Sequence, residues 1–282
     1  MRVTLEAGGL SYEVGDGGGS GCNLTDGGLR GWYGTPSAKV GLTERSSGDG
    51  AHSVPDEAIL YSARTVTMEV RFEAPDAARA LSLRDGLAAL AHRIVRVGVA
   101  DALGETWAEG FLEVDCDLRR EWHRIPATLT IVCPDPRRYG TERVASIVPT
   151  GDAGGGLLYD DGAGYLLLPV QFAGDAPAGN SATLANDGTS TAYPTITVEG
   201  SFPSGVTIAH AGGELAYPAP IGPGAPLVLD SLTRTATVLG VDVTRALARR
   251  DFPVVAPGGT VTISALAEGT GTVTATVRDT YI

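Results

Sequence analysis

The residues able to ligate a metal, attack a carbonyl or move a proton are few and scattered. The four histidines, His52, His92, His123 and His210, show no His-Glu-x-x-His or His-x-His spacing, so a zinc hydrolase would lack its ligand pair. Cys22, Cys116 and Cys133 fit neither a zinc motif nor a disulfide framework, and they point to synthesis in a reducing compartment. The run Gly15 to Gly21 continues into Cys22-Asn-Leu-Thr, where a phosphate-binding loop needs Lys-Ser or Lys-Thr and a helix, and it reads as a flexible loop. Asp160-Asp-Gly lacks the remaining oxygen ligands of a calcium loop. No Gly-x-Ser-x-Gly elbow occurs, and among 33 acidic residues no motif marks a glycosidase pair. The sequence therefore predicts no catalytic residue, no metal and no cofactor.

Charge and composition narrow the classes further. A net charge of -12 argues against nucleic-acid binding, which needs clustered Lys and Arg to neutralise phosphates. Only Lys39 is a lysine, among 21 basic residues, a bias with the look of a coding preference. The longest aliphatic run, Leu166 to Val170, is far too short to span a membrane, and the first residues have no signal-peptide core, so synthesis in a cytoplasm is expected. With 39 glycines in 282 residues, about twice the usual ~7%, the composition suggests short strands and many turns.

The elements available to position side chains fall into two halves. Met1 to Leu5 alternates as a strand. Trp32-Tyr33 then places two large aromatics in a small, polar segment, as a core plug or as an anchor in a subunit contact. Residues 43–57 read as an exposed or disordered loop that could order on a partner. Arg64 to Phe72 alternates cleanly, with Val66, Met68, Val70 and Phe72 on one face and charges on the other. Asp76 caps the one expected helix, whose Leu83, Leu87 and Leu90 form an apolar stripe and whose Gly86 weakens it. His92 at its end is a dipole partner or simply exposed. Strands follow at 95–99, 107–118 and 125–133, the last two paired through a turn near 119–124, a pairing that could set Cys116 opposite Cys133 in the core.

Pro134-Asp-Pro-Arg-Arg-Tyr-Gly140 should leave the sheet as an extended connector, because its prolines lack donors and restrict their predecessors. Arg137 and Arg138 are candidates to clamp carboxylates across an interface, with solvated linker charges as the alternative. Beyond a Gly and Asp-rich turn region at 151–164 and a strand at 165–172, the grammar becomes repetitive. Asn186-Asp-Gly turns into Pro194 and the alternating strand Thr195 to Gly200. Leu227 to Gly240 reads as a hairpin turning near Asp230 to Thr233, and Phe252 to Ser264 as a Pro-Gly-Gly turn feeding a strand. The final strand points Val273, Ala275 and Val277 inward. Many short strands without a helix predict a β-sandwich.

These three stretches, in this order, resemble the C-terminal half of the distal tail proteins of long-tailed bacteriophages: Asn-x-Gly then Pro and a strand ending in Gly, aliphatic-Asp-x-x-x-Arg-Thr ending in Gly, and Phe-Pro with Pro-Gly-x-x-Thr. Asp135-Pro-Arg-Arg-Tyr139 is similar to the run that closes the family's N-terminal domain. Residues 15–57 match in position only.

The resemblance implies a mainly β protein: an N-terminal α+β ring-forming domain with one helix, residues 1–140, and a C-terminal galectin-like jelly-roll sandwich, residues 141–282. It implies a structural, non-enzymatic virion protein at the tail tip, assembled in the host cytoplasm. Six copies would close into a ring that meets the tail tube protein and the tail hub, with the tape measure protein or a receptor-binding protein as a further partner. Trp32, Tyr33, Arg137, Arg138 and Tyr139 are the interface candidates. An acidic channel wall would repel passing DNA. A carbohydrate-binding adhesin is the alternative, with Tyr159, Tyr165, Tyr193 and Tyr217 as its aromatic platform, since Trp32, Trp107 and Trp122 all fall in the first half.

Overall fold

The computed structural model describes residues 1–15, 21–116, 123–149 and 179–282. Most of the Gly15 to Gly21 loop, most of the 119–124 turn with Trp122, the turn region 151–164 and the strand at 165–172 lie outside these residues. Among the described residues the chain is mainly β with one α-helix, and it divides into two compact units, Met1–Thr141 with Tyr281–Ile282, and Glu142–Thr280.

The first unit contains β1 (Arg2–Ala7), β2 (Leu10–Val14), β3 (Cys22–Arg30), β4 (Arg64–Glu73), α1 (Ala77–Ala88), β5 (Ile94–Asp101), β6 (Gly104–Cys116), β7 (Arg124–Cys133) and the start of β8 (Arg138–Ile147). Its antiparallel sheet runs β2-β1-β5-β6-β7-β4-β3, and its two edge strands touch at the Gly15–Asn23 bridge. Alternation fixes the inner face. Val3, Leu5, Val66, Met68, Val70, Phe72, Val95, Val97, Leu129 and Ile131 are buried in one core. The helix lays Ala80 and Leu87 on that core, Leu90 joins them from the turn that follows, and Asp76 caps the helix by accepting from the Arg79 amide at 2.8 Å. Gly86 has a packing reason to be there, because the Tyr12 hydroxyl lies 2.5 Å from where a Cβ would stand.

Three expectations for this half are corrected. Cys116 pairs with Ala127, not Cys133, and Cys133 pairs with Arg64 on the other side of β7. The hairpin centre decides this, since Cys116 is close to the turn and Cys133 far from it. The connector departs from the sheet only briefly, for Arg138 already begins β8 and Tyr139 pairs with Trp107. Arg64 shares the parity of Val66 and Met68, so it faces the core rather than the charged side and is 1% exposed.

Residues 33–63 form a long ribbon rather than a featureless loop. Its legs meet at the Ala38–Tyr61 and Glu44–Ala51 bridges, and a 3-10 turn spans Asp56–Ala58. It is otherwise exposed along most of its length.

The second unit contains the end of β8 and β9 (Ser181–Asn186), β10 (Thr195–Ser201), β11 (Val206–His210), β12 (Gly213–Tyr217), β13 (Leu227–Asp230), β14 (Thr235–Val238), β15 (Val241–Asp242), β16 (Arg249–Arg250), β17 (Gly259–Leu266) and β18 (Thr270–Tyr281). One antiparallel sheet runs β15-β14-β13-β10-β18, and a second runs β16-β12-β11-β17-β9. Ile196, Val198, Leu229, Val273 and Ala275 from the first pack with Ile208, Leu215 and Ile263 from the second, which makes a sandwich.

The Asn186 turn is the anchor of this unit. Its Nδ2 donates to the carbonyls of Ser190 at 2.8 Å, Val255 at 3.3 Å and Ala256 at 3.2 Å. Its Oδ1 accepts from the amides of Gly188 at 3.0 Å and Thr280 at 3.1 Å. Gly188 is needed for close approach rather than for a positive φ, since a Cβ there would sit 2.0 Å from the Thr280 carbonyl oxygen.

Candidate functional site

The site begins with the buried Arg64. Its Nη1 donates to the carbonyls of Gly31 at 2.7 Å, Trp32 at 2.9 Å and Gly34 at 2.7 Å, while Nε donates to Pro136 at 2.9 Å. One side chain thus ties the base of the 33–63 ribbon to the segment that leads into β8. Burial pulls its pKa down to about 10, helped by the nearby Arg138, yet it stays charged at neutral pH. Gly31 completes the fit, with φ +79° and the Thr65 carbonyl 2.0 Å from any added Cβ.

Above this clasp lie the predicted aromatics. Trp32 is fully buried and serves as the core plug, whereas Tyr33 is 54% exposed. The Arg138 guanidinium lies 5.6 Å from the Trp32 ring centre and 5.8 Å from those of Tyr33 and Tyr281, within cation–π range. Tyr33 donates from its hydroxyl to Asp101 Oδ2 at 2.8 Å, and Asp101 Oδ1 accepts from the Leu103 amide at 2.8 Å. The Leu103 and Tyr33 bonds hold the Asp101 carboxyl below its usual range. Burial, followed by the Asp101 bond, pushes the Tyr33 phenol up.

Tyr139, next to Arg138 on β8 and of opposite parity, is the centre of a second group. Tyr139 donates to Asp135 Oδ2 at 2.5 Å, and Arg137 Nη1 pairs with Asp135 Oδ1 at 3.2 Å. The Tyr139 ring tilts against Trp107 with centroids 5.0 Å apart, and Arg96 covers Trp107 at 3.7 Å. Burial and the Asp135 bond keep Tyr139 a neutral phenol. Arg137 thus has a carboxylate within its own chain.

The structure therefore gathers all five predicted residues around the start of β8. It adds Arg64, Asp101, Trp107, Asp135 and Tyr281, which the sequence reading did not single out as a site. Parity could have found Arg64; the others are brought in by long-range pairing alone.

The arrangement is one for binding. Rings, guanidinium groups and carboxylates meet, but no nucleophile stands beside a base, and no cluster able to hold a metal occurs among the described residues. Among the described residues, no helix is long and apolar enough to cross a membrane. In the second unit, His210 is structural. The Gly212 amide donates to its Nδ1 at 3.1 Å, so Nε2 carries the proton and donates to the Asp251 carbonyl at 2.7 Å. Of the tyrosines considered for a sugar platform, Tyr217 is buried in the sandwich and Tyr193 half-buried, and Tyr159 and Tyr165 lie outside the described residues.

No protein-family model matches the chain, and no curated protein matches it in sequence. Two solved structures share its fold along its whole length. The Dit protein (gp 19.1) of phage SPP1, described as a paradigm of the hub adsorption apparatus in phages infecting Gram-positive hosts, superposes with TM-score 0.64 at 15% identity, covering 99% of each chain. A chain of the phage P2 baseplate, in its activated conformation with Ca, superposes with TM-score 0.53 at 7% identity, covering 99% of this chain and 98% of that one. The chain has the fold of the phage distal tail, or hub, proteins.

Proposed function

We propose that the chain is a structural protein of a long-tailed phage virion, six copies of which close into a ring at the distal end of the tail. The ring joins the tail tube protein to the tail hub and the host-adhesion device. The observation that carries this reading is the fold match, over 99% of both chains, to a protein described as a paradigm of the hub adsorption apparatus of phages. A ring also suits the first unit, because a heterologous contact hands one face of each subunit to the next until rotation closes.

The functional division falls near residue 140. The first unit forms the ring, and Tyr33 with Arg138 contributes to its contacts. The second is a galectin-like sandwich. The protein acts without catalysis and without a cofactor, is made in the host cytoplasm and resides at the tail tip. The tape measure protein or a receptor-binding protein is a further partner. Among the described residues of the second unit, no exposed tyrosine platform favours the sugar-binding alternative.

Electron microscopy of the purified protein tests the reading: closed rings with six-fold symmetry and a central hole are expected. Single particles of one chain at every concentration would contradict it.

A further inference from the structure

The outer side of the first unit's sheet carries two clefts that meet. Cross-strand register sets Glu6, Arg96 and Glu109 in one row over β1, β5 and β6, and Thr4, Gly98 and Trp107 in the next. One cleft, of about 610 Å³, runs from the first row to Leu10 and Ile94. The other, of about 410 Å³, runs from it to Trp107 and Glu105. Glu6 and Arg96 line both, so the two form one trough. Gly98 keeps its floor low, with Thr4 Oγ1 and Glu105 Oε1 2.6 and 3.4 Å from where a Cβ would stand.

Arg96 at the middle is held in place. Its guanidinium lies 3.7 Å from the Trp107 ring centre, and the Tyr139 ring packs on Trp107 in turn with centroids 5.0 Å apart. A guanidinium fixed through its face keeps its N–H fork for a ligand.

Charge narrows the class of that ligand. The carboxylates of Glu6, Glu13, Glu105 and Glu109 nearly balance the guanidinium groups of Arg2, Arg93 and Arg96 on and beside this face, so neither an anion nor a cation gains a large net attraction. A hydroxyl donates and accepts at once, which suits a row that runs acceptor, donor, acceptor. Leu10 and Ile94, 41% and 62% exposed, add an apolar wall for the C–H face of a ring.

We propose that this trough binds a neutral saccharide, with Arg96 donating to two adjacent hydroxyls and Glu6 and Glu109 accepting from them. The C–H face of the sugar rests on Leu10 and Ile94, and a further sugar unit reaches Thr4 and Glu105 across Gly98. The site lies in the first unit, apart from the tyrosines of the second, and it does not depend on the ring.

An array of neutral and acidic glycans probed with the full chain, followed by calorimetry of the glycans that bind, tests it. Neutral glycans are expected to bind. Arg96→Ala is expected to weaken them about tenfold or more, and Glu6→Gln with Glu109→Gln to do the same. These three side chains are exposed, so melting curves should stay close to the wild type. No neutral glycan bound at millimolar concentration would overturn the proposal and leave the trough to a protein partner. Binding that Arg96→Ala leaves unchanged would overturn it by placing the sugar elsewhere on the chain. Binding of acidic glycans alone would overturn it as well, because the trough would then select for charge.

Discussion

Arg64 donates from Nη1 to the carbonyl oxygen of Trp32 at 2.9 Å, and both side chains are buried. The bond makes a charged residue of the core strand the fastener of the aromatic turn. Replacing it leaves the carbonyls of Gly31, Trp32, Gly34 and Pro136 without their donor. At about 1 kcal/mol for each of these four acceptors, Arg64→Met is expected to cost up to about 4 kcal/mol. Arg64→Lys should recover less than half, because one ammonium cannot reproduce the fork of the guanidinium. Denaturant midpoints of the three proteins check this, and proteolysis should move to residues 33–63 in Arg64→Met.

In the second unit the equivalent single point is Asn186. Asn186→Ala removes both its donor and acceptor contacts to three other segments and is expected to cost about 2–4 kcal/mol, with Asn186→Asp no better, since a carboxylate cannot donate to the carbonyls. Gly188→Ala should cost about 1–3 kcal/mol by pushing against the Thr280 backbone. Thermal melts of the variants against the wild type decide both.

Thiol chemistry gives a pH prediction. Burial pushes the Cys22 thiol up to about 12 and the Cys133 thiol up to about 11, from an ordinary 9.0. Above pH 9.0 the unfolded chain therefore loses these protons while the fold keeps them, so stability is complete below pH 9.0 and falls as pH rises toward 11 and 12. Each thiol contributes a slope of up to ~1.4 kcal/mol per pH unit. Cys22→Ala with Cys133→Ala should flatten the alkaline limb of the melting curve. In the native protein a thiol reagent should modify the half-buried Cys116 first.

Tyr33 separates folding from assembly. Its ring is mostly exposed and its hydroxyl bonds to the surface residue Asp101, so Tyr33→Ala should leave the melting temperature within a few degrees of the wild type. Assembly should weaken at least tenfold if the aromatic is a contact anchor. Sedimentation across a concentration series reads both quantities.

Local pattern carried most of the fold into view from sequence. Alternation placed Val66 to Phe72, Ile196 to Val198 and Val273 to Val277, Asp76 marked the helix start, and Asp230 marked its hairpin by accepting from the Leu232 amide at 2.8 Å. What local pattern could not supply was the meeting of distant strands. Trp107 reaches Tyr139, and Tyr281 joins Arg138, only through tertiary pairing. Arg64 was hidden for another reason: a charged residue at a strand end is ordinarily solvated, and the carbonyl cage that makes its burial tolerable comes from a loop some thirty residues earlier. Alternation puts Cys116 and Cys133 on paired strands but leaves their register open, and their unequal distances from the turn keep them apart.

The most direct measurement is the mass of the wild-type protein by light scattering, at two concentrations and two salt concentrations. The ring predicts a species near six times 28.9 kDa that persists on dilution. A species of 28.9 kDa under every condition would contradict it.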